Sequence, residues 1–170
     1  AMGLCCAAPW RQPVKEMPLL WCSPLTARAF QTETVIIPWD RLEPYGHADG
    51  MVRYIGNGKV LITNYYDFDK GLRKKLLDAL QPHFEVVELH YDTPRPHKWN
   101  WAYINYLLTD GKLFLPRLNV PEDEQACAQI GSALGIPREH IELVDITGVL
   151  RNGGGLNCIS WNVSLYDSIL

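Results

Sequence analysis

Two short segments carry the residue types from which a covalent active site is built. The first, GHADG at 46–50, places His47 and Asp49 two positions apart, just before a predicted strand. Side chains at positions i and i+2 of a strand face the same way, so both are expected to point into one site. A carboxylate beside an imidazole stabilises the imidazolium and suits a general acid or base. The alternative is a solvated turn after Pro44, which the spacing alone favours.

The second segment, GGGLNC at 153–158, places Cys158 shortly after three consecutive glycines. Glycine lets the backbone approach a ligand closely. A thiol becomes a nucleophile where a positive charge or a helix N-terminus stabilises its thiolate. We therefore expect Cys158 at the mouth of a strand over 156–161. The alternative is a turn that leads to a buried structural cysteine, the commoner fate of a cysteine thiol.

The elements that must position these segments recur in the order ββαβ. Gly58-Lys59 matches Gly111-Lys112 at an offset of 53, and Ala79-Leu80 matches Ala133-Leu134 at 54. A period of this size indicates a propeller or an array. The first unit is predicted as strand, strand, helix and strand at 51–55, 59–63, 69–80 and 84–89. The second is predicted at 102–108, 112–115, 122–134 and 141–146.

The ends of the chain are predicted to hold fragments of further units. A third unit begins at the strand over 156–161, and strands at 19–22 and 34–39 are the tail of an earlier one. Residues 1–32 contain four prolines and are weakly patterned, which excludes a long helix there. We therefore divide the chain into an N-terminal segment, 1–32, and a repeat domain, 33–170.

The composition is that of an ordinary globular chain with an excess of aromatic residues. The 170 residues are 47% hydrophobic and 21% charged, with a net charge of −3, which fits one domain with a buried core. The lack of a basic stripe disfavours a nucleic-acid or anionic-membrane partner, and no apolar run approaches the ~20 residues that span a bilayer. Aromatic residues make up 11%, and core packing is favoured for them, narrowly so for Trp99 and Trp101.

The cysteines and histidines follow no metal-ligand pattern. Five cysteines without a C-x-x-C pair disfavour a zinc ribbon or a disulfide framework. The histidines other than His47 share no ligand spacing with cysteine. The first residues, AMGLCC, lack the basic and apolar regions of a signal peptide. We therefore predict no metal site and a reducing, cytoplasmic compartment.

Together the segments resemble the agmatine deiminase and bacterial-type peptidylarginine deiminase family of the guanidine-modifying (pentein) superfamily. The matching stretches are GHADGMVR at 46–53, AYINY at 102–106 with LFLP at 113–116, and GGGLNCI at 153–159. Their order and spacing also match, and the resemblance covers about residues 33–163. It implies an α/β fold, here a partial α/β propeller built from tandem ββαβ units. The complete family fold is a propeller of five such blades around a central site.

The resemblance also implies a role for each matching residue. Cys158 lies where the family has its nucleophile, His47 where it has its general acid/base, and Asp49 where a carboxylate holds the guanidinium nitrogens. Asn105, in the second stretch, is assigned to substrate binding. The implied reaction is deimination of agmatine or peptidyl arginine through a Cys thiouronium intermediate with release of ammonia, as in putrescine biosynthesis. It requires no metal or organic cofactor.

The sequence departs from the family at one important point. The family has a second guanidinium-binding Asp in an N-terminal motif rich in Trp, Arg and Asp, whereas residues 1–32 contain no Asp. The chain thus resembles the C-terminal half of such a protein, and Asp67, Asp69 and Asp92 are better explained as turn or cap residues. Because a partial propeller exposes sheet edges, a homo-oligomer is expected.

Two other functions stay open. The chain can be a truncated, weakly active or inactive deiminase-like domain that serves as an oligomerising or binding module, because losing one clamp of a buried charge weakens binding strongly. A cysteine protease with a His–Cys dyad is less favoured, because Asp49 two residues after His47 fits guanidinium binding better than dyad orientation.

Overall fold

The computed structural model of the chain describes residues 2–6, 33–42 and 47–162. The chain divides into two compact units, Ala1–His90 and Tyr91–Leu170. The described strands are β1 Met2–Cys6, β2 Glu33–Ile37, β3 Val52–Gly56, β4 Lys59–Ile62, β5 Glu85–Glu88, β6 Leu107–Leu108, β7 Leu113–Arg117 and β8 Ile141–Asp145. The described helices are α1 Tyr65–Phe68, α2 Lys70–Leu80, α3 Glu122–Leu134 and α4 Thr147–Leu150, with 3-10 helices at Ala48–Gly50, Asn100–Ile104 and Arg138–His140.

In the first unit, one ββαβ repeat lies next to a two-stranded parallel sheet of β1 and β2. β3 pairs antiparallel with β4, and β4 pairs parallel with β5. The Asp69 carboxylate accepts the backbone N–H of Leu72 at 2.8 Å, which confirms the predicted cap of α2. Leu76 and Leu80 of this helix are fully buried, as its apolar face predicts. The core also contains Val35, Ile37, Met51, Val52, Val60, Ile62 and Tyr65.

The second unit repeats the same topology. β6 pairs antiparallel with β7, β7 pairs parallel with β8, and α3 lies between β7 and β8 in the chain. Lys59 at the start of β4 forms an ion pair with Glu85, and Lys112 just before β7 forms one with Glu142. The predicted tandem ββαβ order is therefore confirmed, as a mixed α/β fold with small sheets.

The strands predicted at 102–108 and 156–161 are wrong. Asn100–Ile104 is a 3-10 helix, and only Leu107–Leu108 pairs with β7. Residues 102–106 are buried at every position, and a short apolar run of this kind is compatible with a fully buried strand and with a buried helix alike. Residues 156–159 form a turn, so Cys158 is not at the mouth of a strand. The predicted strand at 19–22 lies outside the described residues.

Two further observations concern the composition. In the described part of the chain, no helix is both long enough and apolar enough to cross a membrane. The aromatic excess supplies much of the core, as expected, through the fully buried Tyr65, Tyr91, Tyr103 and Tyr106. Trp99 and Trp101 are half-buried, whereas Trp161 is almost fully exposed.

Candidate active site

His47 and Asp49 lie on a tight turn rather than on a strand. His47 has an extended backbone and precedes the 3-10 helix Ala48–Gly50, which the bond from Met51 N–H to Ala48 O closes at 2.9 Å. Met51 is buried and Ala48 packs against the core of the first unit, so the turn has a fixed base. The i, i+2 alternation of a strand therefore does not apply at this turn, and a shared direction of the His47 and Asp49 side chains stays a prediction. His47 is exposed and Asp49 is half-buried.

Asn105 lies at the end of the 3-10 helix in the second unit and is completely buried. Ala102, Tyr103 and Ile104 before it and Tyr106 after it are also buried. Asn105 thus lies within an unbroken buried stretch, 102–106. The resemblance assigns its side chain to substrate binding.

The loop that carries Cys158 is fixed to Asn105. We call residues 153–158 the thiol loop. The side-chain Oδ1 of Asn105 accepts the backbone N–H of Asn157 at 3.0 Å and that of Cys158 at 3.3 Å. The Cys158 thiol donates to the same oxygen over 3.5 Å, and Asn157 N–H also lies 3.1 Å from the Asn105 backbone oxygen. Asn105 thus organises both the backbone and the sulfur of the loop.

The three glycines of the thiol loop serve different purposes. Gly153 has φ +82°, in the left-handed region that favours glycine. At Gly155 a Cβ would lie 2.3 Å from Asn105 Oδ1 and 2.8 Å from its Cγ, which leaves no room for a side chain. At Gly154 the nearest atom to a Cβ would be 3.6 Å away, an ordinary contact. The close approach expected of these glycines is therefore to the Asn105 side chain, at Gly155.

A buried hydrogen-bond network anchors the 3-10 helix that leads to Asn105. Tyr103 donates its hydroxyl to Asp123 Oδ1 at 2.7 Å, and the same carboxylate accepts the N–H groups of Leu118 and Val120. Burial, followed by the Asp123 bond, raises the pKa of Tyr103 above its usual range, so the phenol stays protonated. In the sequence, Asp123 is one of three consecutive acids at the start of the helix predicted over 122–134, where their charges suit the helix dipole. Its place in the first turn, where backbone N–H groups lack partners, was the available signal.

Two of the three acids expected to be turn or cap residues, Asp67 and Asp69, have partners for their carboxylates within the first unit. Asp69 caps α2, and Asp67 accepts Asn64 Nδ2 at 3.0 Å and contacts His90 Nδ1. Asp92 is exposed. Among the described residues, no group of three or more His, Cys, Asp or Glu side chains is arranged to hold a metal ion.

The predicted site residues therefore fall into two pairs. The structure brings Asn105 and Cys158 together in the second unit. His47 and Asp49 share one turn in the first unit. Cys158 is exposed and carries a thiol rather than a disulfide, so its sulfur is accessible for chemistry. The meeting of the two pairs in one site stays a prediction.

Comparison with known families identifies the class of protein. The model of the Porphyromonas-type peptidyl-arginine deiminase family matches residues 37–163, a range that includes both segments considered above. The chain belongs to this family. A search of curated protein sequences finds no significant match.

Solved structures show the same fold at low sequence identity. Agmatine deiminase of C. jejuni aligns with a TM-score of 0.65 and 18% identity, over 85% of this chain and 47% of that one. Agmatine deiminase of Enterococcus faecalis aligns with a TM-score of 0.66 and 14% identity, over 84% and 48%. The N-terminal domain of ArgZ, a cyanobacterial arginine dihydrolase, aligns with a TM-score of 0.55 and 16% identity, over 85% and 47%. The chain thus spans about half the length of these relatives.

Proposed function

We propose that this chain carries the nucleophile-bearing part of a guanidine deiminase. The observation that supports the proposal best is the Asn105-anchored thiol loop. A loop that is hydrogen-bonded at two successive N–H groups and closed against Asn105 at Gly155 presents Cys158 in one fixed place. A reactive thiol needs both this fixed geometry and access to solvent.

In the proposed reaction, binding of the guanidinium cation releases the thiol proton of Cys158 to solvent, and the resulting thiolate Sγ attacks the central carbon of the guanidinium group. The C–N bond to one terminal nitrogen breaks, and that nitrogen leaves as ammonia with a proton from His47. A covalent thiouronium remains on Cys158. His47 then removes a proton from water, which attacks the same carbon and breaks the C–S bond. A ureido product leaves, and Cys158 returns as a thiol.

The charges of the proposed site explain why a cationic substrate suits it. Asn105 Oδ1 accepts a hydrogen bond from the Cys158 thiol, and a carbonyl oxygen stabilises the S–H form rather than the thiolate. The positive charge must therefore come from elsewhere. A planar guanidinium bound in the bidentate manner by Asp49 supplies it next to the sulfur. The nucleophile thus forms when the substrate is present.

The substrate class follows from the same chemistry and from the relatives. The solved relatives named above are two agmatine deiminases and an arginine dihydrolase. We propose a guanidine-containing small molecule or a peptidyl arginine as substrate in the cytoplasm, with agmatine turnover belonging to putrescine biosynthesis. The partial α/β propeller, built from ββαβ units, is part of this proposal. None of the proposed steps needs a metal or an organic cofactor.

The test is turnover with a matched cysteine control. Agmatine and an arginine-containing peptide are incubated with the chain, and ureido product and ammonia are measured. Cys158→Ala is expected to abolish both, whereas Cys127→Ala, at the buried cysteine of α3, is expected to retain them. The proposal is wrong if product forms equally in the Cys158→Ala variant.

A second function is favoured by the outer strands of the small sheets. The chain can act instead as a deiminase-like module without turnover that oligomerises or binds a partner. Outer strands such as β3 and β6 offer edges for pairing with another chain. This alternative predicts no ureido product, no labelling of Cys158 by a haloacetamidine, and a homo-oligomer in sedimentation at micromolar concentration. A sharp monomer would exclude the homo-oligomer.

A further inference from the structure

We infer that Asn105 is a positioning residue for the Cys158 nucleophile and not a ligand of the substrate. The inference rests on the proposed function for its meaning in catalysis. Its structural basis is a single buried oxygen, Asn105 Oδ1, that serves two backbone N–H groups and the thiol. The side chain thus links sequence positions more than fifty residues apart.

The orientation of the Asn105 amide is fixed by its partners. Backbone N–H groups only donate, so the atom facing Asn157 and Cys158 has to be the amide oxygen. An amide nitrogen at that place would face two donors and lose both hydrogen bonds. Aspartate also offers an oxygen here, whereas alanine and leucine do not. The position therefore selects for an acceptor.

Burial argues against direct contact between Asn105 and a substrate. The residue has no exposed surface, and the backbone at Gly155 lies so close that not even a Cβ fits between them. A ligand that reached Asn105 would first have to displace the thiol loop. Asn105 contacts the exposed Cys158, and any effect of Asn105 on a substrate passes through Cys158.

The contact between Asn105 and the sulfur also defines what the amide does chemically. At 3.5 Å its Oδ1 accepts from the S–H group and holds the sulfur beside the loop backbone. A full negative charge at the same place would oppose formation of a thiolate. Asparagine supplies a hydrogen-bond acceptor without a negative charge. Asn105→Asp therefore separates the two properties.

The experiment compares Asn105→Ala and Asn105→Asp in the full chain with two readouts that need no turnover. Hydrogen exchange by mass spectrometry follows the amides of 156–160, and iodoacetamide modification followed by peptide mapping measures the rate at Cys158. In Asn105→Ala, exchange of 156–160 is expected to accelerate by about tenfold or more, because two hydrogen bonds are lost. In Asn105→Asp, protection is expected to remain within about threefold, and modification to slow by about tenfold.

The outcomes separate this inference from the proposed function. It is overturned if Asn105→Ala leaves exchange at 156–160 unchanged, or if Asn105→Asp loses protection as fully as Asn105→Ala does. It is also overturned if Asn105→Asp is modified as fast as the native chain. Should Asn105→Ala fail to fold, the Asn105→Asp arms decide alone. Absence of ureido product from the native chain would count against the proposed function only.

Discussion

A single methyl group in the thiol loop should separate a required glycine from a tolerant one. In Gly155→Ala, the new Cβ would lie 2.3 Å from Asn105 Oδ1, whereas ordinary contacts begin near 3.4 Å. Since Asn105 is fully buried and held by its neighbours, the loop has to move by about 1 Å. That shift lengthens the hydrogen bonds from the Asn157 and Cys158 N–H groups to Asn105 Oδ1, now 3.0 and 3.3 Å, beyond hydrogen-bonding distance.

The expected size of the effect follows from those two bonds. Each contributes about 1 kcal/mol, so Gly155→Ala should lower the free energy of unfolding by about 2 kcal/mol or more. For a chain of this length, this is a fall in Tm of about 4–8 °C. A sulfur displaced by about 1 Å should react with a cationic alkylating agent up to about 100-fold more slowly.

Gly154→Ala is the matched control in the same loop. Its Cβ meets ordinary contacts at 3.6 Å, and its φ is not in the left-handed region. We expect stability within about 1 kcal/mol of the native chain and a native rate of Cys158 alkylation. Thermal unfolding and peptide-resolved alkylation measure both variants. Equal losses in the two variants, or native behaviour of Gly155→Ala, would refute the assignment of Gly155 to the Asn105 contact.

Three further predictions follow from hydrogen bonds elsewhere in the chain. Tyr103→Phe removes a donor from the buried carboxylate of Asp123 and should cost about 1–3 kcal/mol in chemical unfolding. Because the pKa of Tyr103 is raised on folding, its contribution to stability is present below about pH 10 and is lost as the pH rises above it. The free energy of unfolding should therefore fall less steeply with alkaline pH in Tyr103→Phe than in the native chain. An equal slope in the two proteins would contradict this. Asp69→Ala removes the cap of α2 and should lower the free energy of unfolding by about 1 kcal/mol. Urea unfolding measures this change, and an unchanged midpoint would contradict it. Hydrogen bonds from the backbone of Thr147, from Asn119 and from the Thr147 side chain lower the pKa of Asp145. NMR should therefore find this carboxylate ionised below the pH at which an ordinary Asp protonates. Its contribution to stability is lost as the pH falls through that lowered pKa.

Regular elements were predictable from the sequence where one periodic pattern dominates. Helix α3 was predicted at its observed ends, with three consecutive acids in its first turn that suit the helix dipole. The cap at Asp69 was equally local. The strand predicted at 102–108 failed because a run of buried residues looks the same in a strand and in a buried 3-10 helix.

The site was predictable as a set of residues but not as a set of contacts. Cys158 was identified from the residues and the resemblance, and Asn105 from the resemblance alone. Their hydrogen bond joins positions 53 residues apart, and nothing in either segment alone specifies it. The turn at His47 was hidden for a different reason, since a three-residue 3-10 helix carries no periodic signal. Tertiary packing determines both the Asn105–Cys158 hydrogen bond and the turn at His47.

The measurement that tests the central claim most directly compares two alkylating agents at Cys158. Chloroacetamidine is planar and positively charged, like a guanidinium, and chloroacetamide is its neutral counterpart of similar size. A thiol that gains its thiolate from a bound cation should react at least about tenfold faster with the amidine, and agmatine should protect it. Buried Cys127 serves as the internal reference. Equal rates with the two reagents, or no protection by agmatine, would contradict a guanidinium site at Cys158.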